Sequence, residues 1–279
     1  MTTGAIRTGL IGEHISQTRF GRAMEMMCDH AGLPFEFGLI DSTDRPLFDF
    51  AAAVADLKDK GWTGTAVTHP YKGDAAALAG EGMSDDVRNL GAANSLRFGE
   101  VIEGFNTDFT GFLSAWRHEM SECQIGRVAM AGAGGVARAL APALAQLGAQ
   151  EIVIWDVDFL RAESLAELTG PAAHAVKIEG AREEVLLADG LANCSPVGMD
   201  HLPGSAFPLD AIGSQTWAFD AIYMPMKTEF LEQCRNKGLA TLSGFDFFRH
   251  MILDSFEVFT GVTPDRAELM PRLEALQPR

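Results

Sequence analysis

The 279-residue sequence is short of cysteine and of basic residues, and it holds no long apolar run. Each scarcity argues against a class of protein. The four cysteines, Cys28, Cys123, Cys194 and Cys234, lie far apart and form no C-x-x-C pair. That spacing speaks against a zinc module or a disulfide framework and predicts buried free thiols, with no metal site. Lys and Arg number 22 against 38 Asp and Glu, a formal charge of −16. Phosphate backbones and anionic membranes attract the opposite balance, so neither nucleic acid nor a membrane surface is an expected partner. No stretch approaches the roughly 18–20 apolar residues that span a bilayer. The first residues, Met1 to His14, lack the basic flank and apolar core of a signal peptide. The expected location is cytoplasmic.

What is present is the composition of a globular protein, 47% hydrophobic and 22% charged, in a chain long enough for two domains. Short apolar runs alternate with helical segments, the pattern of an α/β fold. Thr8-Gly9-Leu10-Ile11-Gly12 reads as a buried strand entering a turn, and a helix follows with Ala23, Met24 and Met27 on one face. Phe35 to Ile40 alternates as a second strand. The segment near Leu47 to Lys60 reads as a helix closed by Gly61, and Gly64 to Thr68 as a third strand stopped by Pro70. Asp108 to Glu119 reads as a helical connector. From Arg127 come a strand, a glycine turn, an Ala/Leu helix and a strand at Glu151 to Trp155, a βαβ unit about 30 residues long. Further strands are expected at Gly190 to Asn193 and Ala218 to Ile222, and a helix rich in large apolar residues at Phe245 to Thr260.

The glycine turn is the most specific local signal. Arg127 to Ala131 leads into Gly132-x-Gly134-x-x-Ala137, with Gly135 and Val136 between, and then into a helix. A first glycine permits the tight turn, a second lets backbone approach a pyrophosphate, and a small third residue lets helix and strand pack closely. Strand, turn, helix and second strand stand in the order of a Rossmann dinucleotide-binding unit. The second strand ends at Asp156-Val157-Asp158, with Arg161 following. An acid roughly 20 residues past the turn accepts hydrogen bonds from the adenosine ribose and repels the extra phosphate of NADP. NAD is therefore the expected cofactor and NADP the disfavoured one. Asp156 and Asp158 can also serve as helix caps.

Chemistry on an alcohol needs a group that takes its proton, and two polar clusters in the first half offer one. They are Thr68-His69-Pro70-Tyr71-Lys72, at a strand end, and Gly104-Phe105-Asn106-Thr107-Asp108, preceded by Gly91-Ala92-Ala93-Asn94-Ser95. Taken with Gly132 to Ala139, Asn193-Cys194-Ser195-Pro196-Val197-Gly198-Met199 and Tyr223-Met224-Pro225, these segments resemble, in order, the motifs of the shikimate/quinate dehydrogenase family. The phrases at Thr68 to Lys72 and at Tyr223 to Pro225 are most similar to its NAD-using quinate/shikimate branch.

The resemblance implies an N-terminal three-layer α/β substrate domain, residues 1–110 joined by 245–279, and a C-terminal Rossmann domain, residues 111–244. The last helices return to the first domain, and the active site lies in a cleft. It implies Lys72 as general acid/base with Asp108 as its partner, and Thr18, Thr68, Asn94 and Tyr223 as substrate contacts. Gly132, Gly134, Gly135, Val136, Asp156, Asp158, Arg161, Ser195 and Gly244 fall on the cofactor side. The family's NADP-users carry Asn-Arg-Thr where this chain has Asp156-Val157-Asp158, which agrees with NAD. The implied partner is a cyclic hydroxy acid or polyol, on the chemistry of aromatic amino acid biosynthesis. The expected assembly is a monomer or homodimer.

Three positions depart from the pattern. The early loop that holds the family's S-x-S has Thr18 first but Phe20 second. The Asn of N-V-T is Ala66, and the Gln expected after Gly244 is Met251. His250, beside it, reads as a packing or helix-surface residue. Each lost hydrogen bond costs about 0.5–1.5 kcal/mol, so a changed, less polar substrate is expected unless Ser16, Arg19 or Ser243 compensates. The alternatives are an ordinary shikimate or quinate dehydrogenase, a non-catalytic NAD-binding regulator, and a methyltransferase using the glycine loop.

Overall fold

The computed structural model describes residues 4–85 and 87–278; Met1–Thr3 and Arg279, at the ends of the expected domain segments, and Asp86 lie outside the described residues. The chain begins with β1 (Ile6–Gly12), α1 (Phe20–Ala31), β2 (Phe35–Asp41), α2 (Phe50–Asp59), β3 (Gly64–Val67), α3 (Lys72–Ala79), β4 (Ser95–Phe98) and β5 (Ile102–Phe105). It continues through α4 (Thr107–Glu119), β6 (Arg127–Ala131), α5 (Ala137–Gln146), β7 (Glu151–Trp155), α6 (Phe159–Thr169), β8 (Ala173–Ala175), α7 (Ala181–Leu187) and β9 (Gly190–Asn193). The last elements are β10 (Trp217–Asp220), α8 (Glu229–Asn236), β11 (Ala240–Leu242), α9 (Gly244–Thr260) and α10 (Arg266–Glu274). Two compact units result: Met1–Thr107 with Met251–Leu276, and Asp108–His250 with Gln277–Arg279.

In the first unit the sheet order is β2-β1-β3-β4-β5, with β4 antiparallel to both of its neighbours. Strand periodicity sorts the helices onto its two faces. Thr8 pairs with Phe37 and with Gly64, so the three share a face. On that face Phe20 of α1 packs against Phe37 and against Phe259 of α9, at 6.1 and 6.4 Å between ring centroids, and Gly64 leaves room for Phe259. The adjacent pair, Gly9 and Thr65, faces the other way, toward Leu57 of α2. Gly104 of β5 faces Ala79 of α3 on that same side. Helices on both faces of one sheet make the three-layer arrangement. Ala23, Met24 and Met27 are fully buried on α1, as their spacing required, and α1 ends where Gly32 turns left-handed, φ +67°.

The second unit is a wholly parallel sheet in the order β11-β10-β9-β6-β7-β8. The chain leaves β6 toward β7 and β8, then returns to β9 on the other flank. That reversal makes the ends of β6 and β9 a topological switch point, where open parallel sheets bind ligands. An aromatic cluster packs the sheet: Phe112 lies 5.1 Å from Phe219, and Trp116 lies 4.7 Å from Trp217. Phe247 of α9 joins it at 6.3 Å from Phe112. This packing is why α9 through His250 groups with the second unit, whereas the expected division placed everything from 245 onward with the first.

Some elements differ from expectation for local reasons. The second helix starts at Phe50 because the Asp49 carboxylate caps the Ala52 N–H at 2.9 Å; Leu47, 96% exposed, lies outside it. β10 stops at Asp220, whose carboxylate accepts the Ile222 N–H at 3.0 Å and turns the chain. The β4–β5 hairpin was unforeseen, since Gly91–Ser95 and Gly104–Asp108 read as polar clusters. No helix among the described residues is long and apolar enough to cross a membrane, and no group of His, Cys, Asp or Glu among them could hold a metal ion.

Candidate active site

Sheet register gathers the first unit's candidate residues at one edge. Ile11 pairs with Val67, the Val67 N–H donates to the Asn94 carbonyl at 2.8 Å, and the Asn94 N–H to that of Phe105 at 2.9 Å. The residues that follow or precede these, Gly12, Thr68, Asn94 and Asn106, therefore stand side by side. The Ala93 N–H donates to the Lys72 carbonyl at 2.9 Å, which ties the first turn of α3 to the same edge. Gly12 is needed there, since a Cβ would come within 2.3 Å of the Thr68 methyl and 3.0 Å of the His69 carbonyl. Tyr71, just before Lys72, stacks on Phe50 at 5.2 Å and 11°, so packing fixes the start of the helix that carries the lysine.

Asn94 is buried, and its Oδ1 accepts both the Thr107 N–H at 2.8 Å and the Thr107 hydroxyl at 3.1 Å. It thus caps α4, whose second residue is Asp108, itself buried. Its side-chain amide takes no hydrogen bond among the described residues and remains a donor. Asn106 donates from Nδ2 to the Ala92 carbonyl at 3.0 Å, and the Thr107 and Ser255 hydroxyls meet at 2.9 Å. Ser255 was not foreseen, because a contact across 148 positions leaves no periodic trace.

The early loop leaves β1 at this edge too. Its Glu13 N–H donates to the His69 carbonyl at 3.0 Å. Asp41 braces it from β2, accepting the Thr43 N–H and hydroxyl, and those hydrogen bonds hold its carboxyl below the usual carboxylate range. Thr18 is half-buried and its Oγ1 accepts the Phe20 N–H at 3.2 Å. Phe20 itself is core, 5% exposed, and Ala66 is 4% exposed. Arg19 is half-buried, and its Nε, like those of Arg127 and Arg249, is buried without a hydrogen bond. Those two arginines hold ion pairs, whereas the Arg19 guanidinium has no ion pair or hydrogen bond among the described residues.

In the second unit, Gly132 has φ +94°, and a Cβ on it would lie 2.7 Å from Cys194 C and Ser195 N. The turn therefore presses directly on the chain leaving β9. The Ala133 N–H donates to Asp156 Oδ2 at 2.7 Å, so the carboxylate that holds the turn is Asp156. Asp158 instead caps α6, accepting the Leu160 N–H at 3.1 Å, and pairs with Arg161 at 3.4 Å in the open. Gly134 and Gly135 have nothing within 4 Å of a built Cβ. The N–H groups of Gly134, Gly135 and Val136 take no hydrogen bond among the described residues. Three free amides ahead of a helix suit a pyrophosphate, so this turn fits a dinucleotide.

Ser195 binds back to Asn193, its hydroxyl donating to Oδ1 at 2.7 Å. Gly244 sits where a Cβ would meet the Ala221 and Ile222 carbonyls at 2.6 Å, so its place is set by close packing. Tyr223, in the second unit, stacks on Phe248 at 5.7 Å. His250 is a packing residue, 1% exposed, with Nδ1 at 3.0 Å from the Ser114 hydroxyl and Nε2 at 3.3 Å from Glu119. Met251 is half-buried in the first unit; its carbonyl accepts the Ser255 hydroxyl at 3.0 Å. Cys28, Cys194 and Cys234 are buried free thiols, and burial pushes Cys28 and Cys234 up to about 12. None is a nucleophile near neutral pH.

Comparison with known proteins gives consistent matches. Residues 10–96 match the model of the shikimate dehydrogenase substrate binding domain. The chain is 34% identical to a quinate/shikimate dehydrogenase (NAD(+)) of Corynebacterium efficiens, over 95% of this chain and 96% of that one. It is 32% identical to a shikimate dehydrogenase (NADP(+)) of Pseudarthrobacter chlorophenolicus, over 94% and 92%. Among solved structures, quinate dehydrogenase from Corynebacterium glutamicum in complex with NAD superposes with a TM-score of 0.91 at 30% identity, covering 97% of this chain and 99% of that one.

Proposed function

The chain belongs to the shikimate dehydrogenase family, and we propose that it is a nicotinamide-dependent dehydrogenase that prefers NAD and oxidises the secondary alcohol of a shikimate- or quinate-like hydroxy acid. The observation that carries this reading is the register that sets Thr68, Lys72 and Asn94 along one sheet edge, with Asp108 next in the chain after the Thr107 that Asn94 caps. The bound nicotinamide supplies the hydride acceptor. Lys72 takes the hydroxyl proton at Nζ as the carbonyl forms and returns it in the reverse direction, and Asp108 supplies the second catalytic group, a carboxylate. Asn94 Nδ2 and the Thr68 and Thr18 hydroxyls hold ring substituents, and Tyr223 is proposed as a further substrate contact. Assay of NAD reduction with shikimate, quinate and less polar cyclic alcohols tests the reading. No turnover across that panel would overturn it. We place the enzyme in the cytoplasm, as a monomer or homodimer.

The NAD preference is supported by the end of β7. Val157 is 92% exposed there, between two carboxylates, and Arg161 is engaged by Asp158. A 2′-phosphate there would meet anions and, among the described residues of that turn, an arginine already paired with Asp158. We expect kcat/KM to favour NAD over NADP by at least about tenfold, which corresponds to about 1.4 kcal/mol. Asp158→Asn is expected to narrow that ratio, and equal efficiency with both cofactors in the wild type would remove the preference.

Arg19 supports an anionic substrate. A guanidinium with a buried, unsatisfied Nε calls for an acceptor, and a charged hydrogen bond contributes about 1.5–3 kcal/mol. Arg19→Gln is then expected to raise KM for a carboxylate substrate about tenfold to a hundredfold, with KM for NAD unchanged. An unaltered KM would exclude Arg19 as the anchor. The same-family alternative, a less polar cyclic alcohol as substrate, is favoured by the burial of Phe20 and Ala66, which leaves two polar family positions without a polar group. Higher kcat/KM on a cyclic alcohol lacking the carboxylate than on shikimate would establish it.

A further inference from the structure

We propose that Asp220 is a positioning residue, holding the chain that leaves β9 and the turn that leaves β10 in the arrangement cofactor binding requires. The proposal rests on reading the second unit as the nicotinamide-cofactor domain. Asp220 is the last residue of β10 and is fully buried. Its Oδ1 accepts the Asn193 amide and the Ile222 N–H, each at 3.0 Å, and its Oδ2 accepts the Thr228 hydroxyl at 2.6 Å. Thr228 in turn accepts the Leu231 N–H at 3.2 Å and so caps α8.

Asn193, also fully buried, carries the connection onward. Its Oδ1 accepts the Ser195 N–H at 3.1 Å and the Ser195 hydroxyl at 2.7 Å, and its Nδ2 also donates to the Val197 carbonyl at 3.2 Å. Ser195 N is one of the atoms that a Cβ on Gly132 would meet at 2.7 Å. An unbroken run of contacts thus leads from the start of α8, through one carboxylate, to the glycine turn. Gly198, at φ +118°, seats the same segment against Ile222 and Thr228.

Chemistry explains why the hub is a carboxylate. Three donors converge on two oxygens, and only a group without donors of its own satisfies all three. Burial raises the carboxyl above its usual range, a cost offset by those hydrogen bonds. Every segment tied together leaves the C-terminal edge of the parallel sheet, where ligands bind.

Asp220→Asn and Thr228→Val test the proposal, with Thr228→Ser as the conservative control that keeps the hydroxyl. Three measurements suffice: NAD titration, amide hydrogen exchange over residues 194–199 and 222–227, and a thermal melt. Both variants are expected to weaken NAD binding about tenfold and to speed exchange in both segments, at a melting temperature within a few degrees of wild type. Thr228→Ser should match wild type. The proposal is overturned if the folded variants keep wild-type exchange and NAD affinity. It is also overturned if affinity merely follows the melting temperature and returns on cooling. Should Asp220→Asn not fold, Thr228→Val, which removes one hydroxyl, still decides. If wild type itself takes up no NAD, the cofactor reading fails, and the exchange measurement separately judges the brace.

Discussion

Lys72→Ala is expected to lower kcat by about 10²–10⁴-fold, the range for loss of a general acid/base, while NAD affinity changes less than about twofold. Lys72 opens α3, and its backbone carbonyl, which accepts the Ala93 N–H, survives the substitution. Tyr71 keeps its stacking on Phe50. Alanine is moreover the best helix former. The proposed cofactor contacts belong to the second unit, so a loss of turnover with intact NAD titration separates proton transfer from cofactor binding. Asp108→Asn should lose turnover by a similar factor, since it keeps the shape of the side chain and removes its charge. If Lys72→Ala retained kcat within tenfold, another group would be moving the proton, and the sheet edge would be a binding surface only. Parallel loss of NAD affinity would instead point to a general structural defect.

Periodicity and glycine placement made the frame legible. The buried stripe of α1, the four inner strands of the parallel sheet and the turn at Gly132 all follow from residue types a few positions apart, whereas the edge strands β8 and β11, three residues each, were not foreseen. The β4–β5 hairpin escaped because its strands are four residues each, and its polar ends carry more signal than its apolar middles. The candidate residues Thr68, Lys72, Asn94 and Asp108 stand out as motifs, but motifs do not say what holds them. Asn94 caps Thr107, Thr107 meets Ser255, and Gly12 makes room for Thr68. Those partners are distant in the chain and unexceptional in type. The two aspartates after β7 divide their work in a way only coordinates reveal: Asp156 binds the turn, and Asp158 caps α6. Arg19 and Asp220 are the same lesson reversed, ordinary residues marked by what surrounds or fails to surround their polar atoms.

Gly132→Ala is expected to weaken NAD binding by at least about a hundredfold, roughly 2.7 kcal/mol, and to lower the melting temperature by about 5–10 °C. Two costs add at this position. At φ +94° an alanine is strained, by about 1–3 kcal/mol. Its Cβ would also sit 2.7 Å from Cys194 C and Ser195 N and 2.8 Å from the Cys194 carbonyl, backbone atoms that cannot rotate away as a side chain could. Relief requires the turn to retreat from β9, which would strain the Gly132 N–H bond to the Trp155 carbonyl at 2.8 Å and the Ala133 bond to Asp156. The same movement carries the open amides of Gly134, Gly135 and Val136 out of place. Gly134→Ala provides the contrast, because its Cβ would have nothing within 4 Å. That variant should melt with wild type, and any loss of NAD affinity in it reports ligand approach alone. Calorimetric titration and thermal melts on both proteins separate the two effects. If Gly132→Ala binds NAD within threefold of wild type, this turn does not hold the dinucleotide. If Gly134→Ala binds normally as well, the phosphates must approach elsewhere along the switch point.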